Sequence, residues 1–365
     1  MPFPQPQRRY SYILLAVFLT SFTSLSFYLQ AHSFIPQPVK LPNTLPSFSS
    51  NRDESETPRY AYATFLSTRV QNDTEDDPYF TATRVLAYQL LHRPSTRTQL
   101  GLPFLVIVPP HVSEQKQRIL TEEGATVIQV SLLNPTNWTA RPGEPRWVDQ
   151  FTKLRLFELT QYDRILYMDT DLLVTRPLDS IFGEPEVAEP CWTKNDSQTV
   201  QQREAPMPEQ YIIAGVTDND GPGTSHPAPV KPGSLLNGGF FVLQPSQTLF
   251  EYYEALLQTE GRFDTGLMEM ALLNYAHRHD GPMPWVSLVP GRWSSNWPAL
   301  RDWKELGCAT LHDKFWSNGN KDWIDRELVE MWWRVQGQME GFWMRERVGG
   351  SGMKRGLLSG FDGDD

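Results

Sequence analysis

The chain has 365 residues, 39% of them hydrophobic and 12% aromatic, and a formal net charge of -10. That length suffices for one large domain or two small ones. The acidic balance excludes a general nucleic-acid binder, which carries a basic face, but it admits an anionic small ligand whose field a bound cation reverses.

Arg8 and Arg9 precede an uncharged stretch, residues 10–31, long enough to cross a bilayer as a helix. Positive charge before such a span predicts a cytosolic tail at 1–9, a signal-anchor at 10–31 and a lumenal body. A cleaved signal peptide is the rival reading, with only a weak small-residue cleavage site to support it. Residues 32–57 are rich in Pro and Ser without periodicity, and they predict a disordered stem. This is the layout of a single-pass type II protein of the secretory pathway, Golgi-type. Sequons at Asn72, Asn137 and Asn195 fit that placement. Cys191 and Cys308 either pair in an oxidising lumen or stay as buried thiols.

The body is predicted over 58–345. Arg59–Thr68 reads as a first strand, being β-branched and aromatic. Val85, Leu86, Leu90 and Leu91 follow at helical spacing. A continuous apolar strand covers Leu102–Pro110. The next helix starts at the N-cap candidate Ser113 and stops at Gly124. A third strand follows over 125–133. The stripe Phe151, Leu154, Phe157 and Leu159 predicts another helix, and Arg164–Asp171 a fourth strand. Alternating strands and helices build a mostly parallel α/β sheet covered by helices. Residues 189–232, rich in Pro, Gly, Gln and Asp, read as an irregular insertion and a candidate for acceptor contact. A strand over 234–246, two apolar helices and a Trp-rich end expected to fold over the sheet complete the body. Residues 346–365 read as a flexible tail.

Asp169 and Asp171 sit where the fourth strand ends, inside an oily run. Burying a charge costs several kcal/mol unless it is paired or bound to metal. Ligands of parallel sheets sit beyond the carboxyl ends of the strands. Two convergent carboxylates there suit Mg2+ or Mn2+, with phosphate oxygens and water as further ligands. The bland alternative caps the next turn with one aspartate and pairs the other with Arg164 or Arg176. The triplets Asp218–Asp220 and Asp362–Asp364 lie in polar, Gly-rich stretches where solvated acids need no explanation. A haloacid-dehalogenase-like phosphatase also places D-x-D after an apolar strand. Leu173 stands where that family usually has Thr or Val, and the motif comes late in the body.

Five stretches resemble the glycogenin-like glycosyltransferases, family 8, of GT-A type: "ATFLST", "DPYFTATRVLAYQLL", "TKLRLFELTQYDRILYMDTD", "LLNGGFFVLQPS" and "HDKFW". They span Tyr60 to Trp316 in the family's order. The resemblance implies a single GT-A-like α/β domain. It implies transfer of a hexose-type sugar from a UDP-sugar to a glycan or glycoprotein hydroxyl, with retention and Mn2+. Asp169, Asp171 and His312 match the metal ligands, and Asp169 would also face ribose or sugar. Phe65, Leu66, Ser67 and Thr68 match the strand end that cradles uracil, and Tyr79 an aromatic stacked on the base. Lys314 resembles the lysine that neutralises the β-phosphate, with Lys321 as its alternative. Gly238 and Gly239 match the segment below the donor sugar. Asn237 belongs to that same segment, Lys153 matches a lysine near the donor phosphate or sugar (a solvated helix face is the alternative), and Glu269 keeps a carboxylate near the sugar's reacting face. One departure stands out. Glu269 and Met270 occupy the places of the family's Asp-Gln, and Met270 cannot hydrogen-bond a hydroxyl. A degenerate, non-catalytic glycan-binding member is the alternative this leaves open.

Overall fold

The computed structural model describes residues 58–70, 76–194, 205–219, 221–223, 226–231, 233–317 and 323–358, with side chains to 348. The expected span at 10–31, the stem, the sequons at Asn72 and Asn195, and Lys321 lie outside the described residues. Among the described residues no helix is long and apolar enough to cross a membrane.

Strand β1 (Tyr60–Phe65) is buried on both faces. It alternates Tyr60 and Tyr62 into one core cluster with Ala61, Ala63 and Phe65 into another, as the two-residue period of a strand requires. Helix α1 (Pro78–Leu91) begins at Asp77, whose side chain accepts from the Phe80 amide at 3.1 Å. Strand β2 (Phe104–Val108) follows. Ser113 caps α2 (Glu114–Glu122), and Gly124 ends it at φ +94°, a conformation that glycine adopts without cost. Strand β3 (Thr126–Gln129) is shorter than the apolar run suggests, because it is a half-exposed edge. β4 (Arg164–Met168) and β5 (Leu172–Val174) flank the two aspartates.

The helix expected over 148–163 is a shorter 3-10 helix, Gln150–Glu158. Phe151, Leu154 and Phe157 recur every third residue, which matches three residues per turn rather than 3.6. Leu159 falls off that stripe and is half-buried.

The stretch 189–232 also departs from expectation. After α3 (Pro185–Ala188), β6 (Cys191–Trp192) pairs with β7 (Gln210–Tyr211), and β8 (Ile213–Thr217) is a buried strand of the main sheet. Beyond come β9 (Leu236–Leu243), α4 (Gln247–Leu257), α5 (Met268–Ala276), β10 (Val286–Ser287), β11 (Ser294–Asn296), α6 (Leu300–Lys304) and β12 (Thr310–His312). Helix α7 (Arg326–Leu358) runs through the boundary expected at 345.

The seven-stranded sheet has the order β10-β8-β9-β4-β1-β2-β3. β1 is parallel to β2 and β4, and β9 is antiparallel to both β4 and β8. The chain runs from β1 outward to β3, then returns to lay β4 on the other side of β1. Ligands of open sheets bind at such a switch, beyond the carboxyl ends of the strands. The fold is a mixed α/β arrangement of helices around a central sheet. The Trp-rich end does not cover the main sheet. Trp332, Val335 and Met339 of α7 pack with Val85 of α1 and with Leu173 and Leu311 of the small β11-β12-β5 sheet. Cys191 and Cys308 are free thiols.

Candidate active site

Strand pairing assembles the site. β12 runs antiparallel to β5, with His312 opposite Leu172 and Leu311 opposite Leu173. That register brings His312 next to the aspartates although 141 residues separate it from Asp171. Its Nε2 lies 2.9 Å from Asp171 Oδ1 and 3.9 Å from Asp169 Oδ2. Neither aspartate pairs with Arg164 or Arg176, whose guanidinium groups donate to backbone carbonyls. Asp171 also accepts from Lys314 Nζ at 3.0 Å. Asp169 accepts from Tyr167 Oη at 2.6 Å and faces Lys153 Nζ at 3.0 Å.

Charge sets the protonation of these groups. Burial opposes ionisation of Asp171, yet Lys314 and His312 hold it well below the usual carboxylate range. Burial disfavours imidazolium at His312, but Asp171 outweighs it and raises the pKa. The Asp171 carboxylate also raises Lys314. Burial likewise disfavours the Lys153 ammonium, but Asp169 and Glu269 overcome this and keep it charged. Glu269, 2.6 Å from Lys153, is raised because burial outweighs its share of an ammonium divided between two acids.

Ligand atoms of Asp169, Asp171 and His312 all lie within 4.8 Å of one another. Two carboxylates and an imidazole suit a borderline-hard divalent ion such as Mn2+. Gly239 leaves the space around them open. A Cβ there would collide with His312 Cε1 and stand 2.8 Å from Asp169 Oδ2. The cleft is lined by five carboxylates against three lysine or arginine side chains. That excess negative charge is what a bound cation offsets. The residues present therefore fit a divalent metal.

The cleft encloses about 380 Å³. It is lined by Phe65, Leu66, Ser67 and Tyr79, by Lys153, Asp169, Asp171, His312 and Lys314, and by Asn237, Gly238, Gly239, Glu269 and Met270. Thr68 alone among the expected residues stays out. It is buried and donates to Asp77 Oδ2 at 2.7 Å, bracing the cap of α1. Asn237, Gly238 and Gly239 lie within the buried strand β9, not in a turn. Met270 packs against Gly238, where a Cβ would approach its Cβ to 3.0 Å.

Asp218, Asn296 and Arg146 are among the lining residues that the sequence did not single out for the site. Asp218, read from sequence as a solvated loop acid, accepts from both Asn237 Nδ2 and Asn296 Nδ2 at 2.7 Å. Asn296, on β11, also lines the cleft. Arg146 donates to Tyr79 Oη at 2.8 Å from the rim. An aspartate directly after an apolar strand end was the available signal for Asp218. Arg146, on an exposed turn, carries none.

No protein-family model matches the chain. It is similar to the uncharacterized protein C4C3.09 of Schizosaccharomyces pombe, 30% identical over 321 residues, which cover 81% of this chain and 82% of that protein. It is also similar to galactinol synthase 2 of Solanum lycopersicum, 26% identical over 255 residues, 66% of this chain and 72% of the relative. Among solved structures, the apo-form glycosyltransferase GlyE of Streptococcus pneumoniae TIGR4 matches 80% of this chain at 16% identity and a TM-score of 0.43. The match spans 64% of the GlyE chain. Similarity to several galactinol synthases supports a family 8-like glycosyltransferase. It belongs to the family of the fission-yeast protein C4C3.09.

Proposed function

We propose that this chain moves a hexose-type sugar from a UDP-sugar to an acceptor hydroxyl on a glycan or glycoprotein, with retention and dependence on Mn2+. One observation carries the reading: Asp169, Asp171 and His312 converge beside Lys314 at the switch point of the sheet. A divalent cation held there supplies positive charge where the diphosphate leaves. Lys314, kept protonated by Asp171, offers a second positive group to the phosphates, and its attraction grows as UDP gains charge. Gly238 and Gly239 let the sugar ring approach the floor closely. Glu269, buried and pinned by Lys153, provides negative charge for an oxocarbenium-like sugar. Asn237, fixed by Asp218, directs its remaining amide capacity to sugar hydroxyls.

The uncharged stretch 10–31 after Arg8 and Arg9 supports a single-pass type II anchor, with the body in the lumen of the Golgi or another secretory compartment. Asn137, in one of the three sequons, is exposed. Protease protection of the body in sealed microsomes, lost on adding detergent, tests this placement.

UDP release from a panel of UDP-sugars, with and without Mn2+, tests the activity. Metal-dependent release from at least one donor, abolished in Asp171→Asn, is expected. No release from any donor would refute the enzyme reading and leave a degenerate binding protein. Release unaffected by the substitution would refute the site.

A further inference from the structure

Helices α1 and α7 both lead from the cleft to the opposite end of the body. Asp77, the cap of α1, accepts from Thr68, just past the end of β1. Thr98, beyond the last turn of α1, donates to Asp179 Oδ1 at 2.9 Å, and so does Tyr62 near the start of β1. The end of α1 therefore lies where the chain enters β1. Early in α7, Trp332 meets Trp316, which in turn meets Tyr79 of the cleft. Later, Phe342 and Trp343 pack on Tyr88 and His92. Past Trp343 the helix runs on to Leu358, about 20 Å at 1.5 Å per residue. Residues 344–348 are all exposed, Met344 by 69% and Val348 by 67%. From 344 to 358 the chain carries Arg345, Arg347, Lys354 and Arg355 against one acid, Glu346, although its net charge is -10. The acids Asp362, Asp364 and Asp365 come after the helix.

An open groove of about 610 Å³ lies between the end of α1 and α7, lined by Arg93, Ser95, Gln338 and Arg345 and by no carboxylate. Gly337 and Gly341 also line it, and a Cβ on either would meet nothing within 4 Å. The Arg93 guanidinium reaches the Val174 carbonyl at 3.5 Å, and among the described residues neither Arg93 nor Arg345 pairs with a carboxylate. Burial lowers the pKa of Arg93, and the charge of Arg334 lowers it further.

We propose that this end of the body binds a phosphate-bearing lipid headgroup: Arg93 and Arg345 hold the phosphate in the groove, and the exposed turns of α7 rest against the anionic bilayer beside it. Guanidinium forks match the paired oxygens of a phosphate. Met344 and Val348 offer apolar side chains to the interface, among bases that anionic headgroups attract. The bilayer then faces the end at which the chain enters β1. The cleft, at the other end of α1, opens away from it.

The test is hydrogen–deuterium exchange of residues 344–358 in the full chain, held in nanodiscs of phosphatidylcholine alone or mixed with phosphatidylglycerol. Amides there should exchange at least about tenfold more slowly in the anionic discs. High salt should shrink the difference, and inorganic phosphate added to neutral discs should not reproduce it. Arg345→Glu/Arg347→Glu, which alters only exposed side chains, should abolish the difference, and Arg345→Lys/Arg347→Lys should keep most of it. Equal exchange in the two kinds of disc overturns the proposal. That outcome with fast exchange leaves the face bare; with slow exchange, a second copy or the chain's own acidic end covers it. A difference that survives in folded Arg345→Glu/Arg347→Glu also overturns it. If the chain does not enter discs, the same comparison with vesicles of the two compositions added to it decides. None of these outcomes touches the transferase reading.

Discussion

Gly239→Ala separates the metal site from the fold. A Cβ at 239 would overlap His312 Cε1 and stand 2.8 Å from Asp169 Oδ2 and 3.1 Å from Asn237 Oδ1. Ordinary contacts between such atoms begin near ~3.5 Å, so the side chains must move by roughly 0.5–1 Å. Two of them are metal-ligand candidates. A displacement of about 1 Å costs on the order of 100-fold in rate, or about 2.7 kcal/mol of transition-state stabilisation. Overpacking costs about 1–3 kcal/mol of stability, which leaves the protein folded. Gly238→Ala is the matched control. Its nearest contacts are Met270 Cβ at 3.0 Å, Met270 Cγ at 3.3 Å and Glu269 Oε1 at 3.6 Å, none of them a metal-ligand candidate, so it presses on helix α5 instead. The assay is metal-dependent UDP release, with Mn2+ titrated for each variant and urea unfolding run alongside. Gly239→Ala should lose activity and need more Mn2+, and Gly238→Ala should keep its Mn2+ requirement. A folded Gly239→Ala with the rate and Mn2+ requirement of wild type would refute the reasoning.

Lys153→Met removes the cation shared by Asp169 and buried Glu269. Stranding a buried charge costs about 3–5 kcal/mol, and replacing the pair together is much milder. Urea unfolding should show that loss in the single variant and recover most of it in Lys153→Met/Glu269→Leu. A single variant as stable as wild type would contradict the account. His277 offers a test by pH. Its Nδ1 donates to the Met283 carbonyl at 2.6 Å, and its Nε2 accepts from Tyr253 Oη at 2.5 Å. Burial pushes its pKa from 6.5 down to about 4. Above pH 6.5 the ring is neutral whether folded or unfolded, and its stabilising contribution is fully present. As pH falls from 6.5 towards 4, only the unfolded chain takes the proton, so stability declines. Between pH 7.5 and pH 5 the loss from this group is about 2 kcal/mol. His277→Phe should show a correspondingly flatter urea-unfolding profile with pH. Identical slopes would contradict the buried, neutral ring.

Much of this was legible in the sequence because the relevant residues sit in continuous apolar runs. The run Ile165–Met168 can only be a buried strand, so Asp169 and Asp171 had to stand at its end. His312 was legible only through its resemblance to a family motif. Nothing in its own neighbourhood requires a strand that pairs with Leu172–Val174. Strand β8 was hidden because Ile213–Thr217 is short and sits within a Pro- and Gly-rich stretch. Its burial comes from pairing with β9, a non-local event that local composition does not encode. Asp218 directly follows that strand and was missed with it, although its partners Asn237 and Asn296 come from distant strands. The three-residue period of Phe151, Leu154 and Phe157 is visible in the sequence, but so short a stripe also fits the commoner α-helix. Met270, flagged as a departure, does line the cleft, and it packs on Gly238 where a hydrogen-bonding side chain was expected.

The central claim is that Asp169, Asp171 and His312 together hold a divalent ion that engages the diphosphate. Titration of Mn2+ into the full chain with UDP, read by loss of the free-ion electron paramagnetic resonance signal, tests it most directly. Wild type should capture the ion stoichiometrically, more tightly with UDP, and Asp171→Asn and His312→Ala should capture it at least about tenfold more weakly. Equal capture by wild type and both folded variants would contradict it.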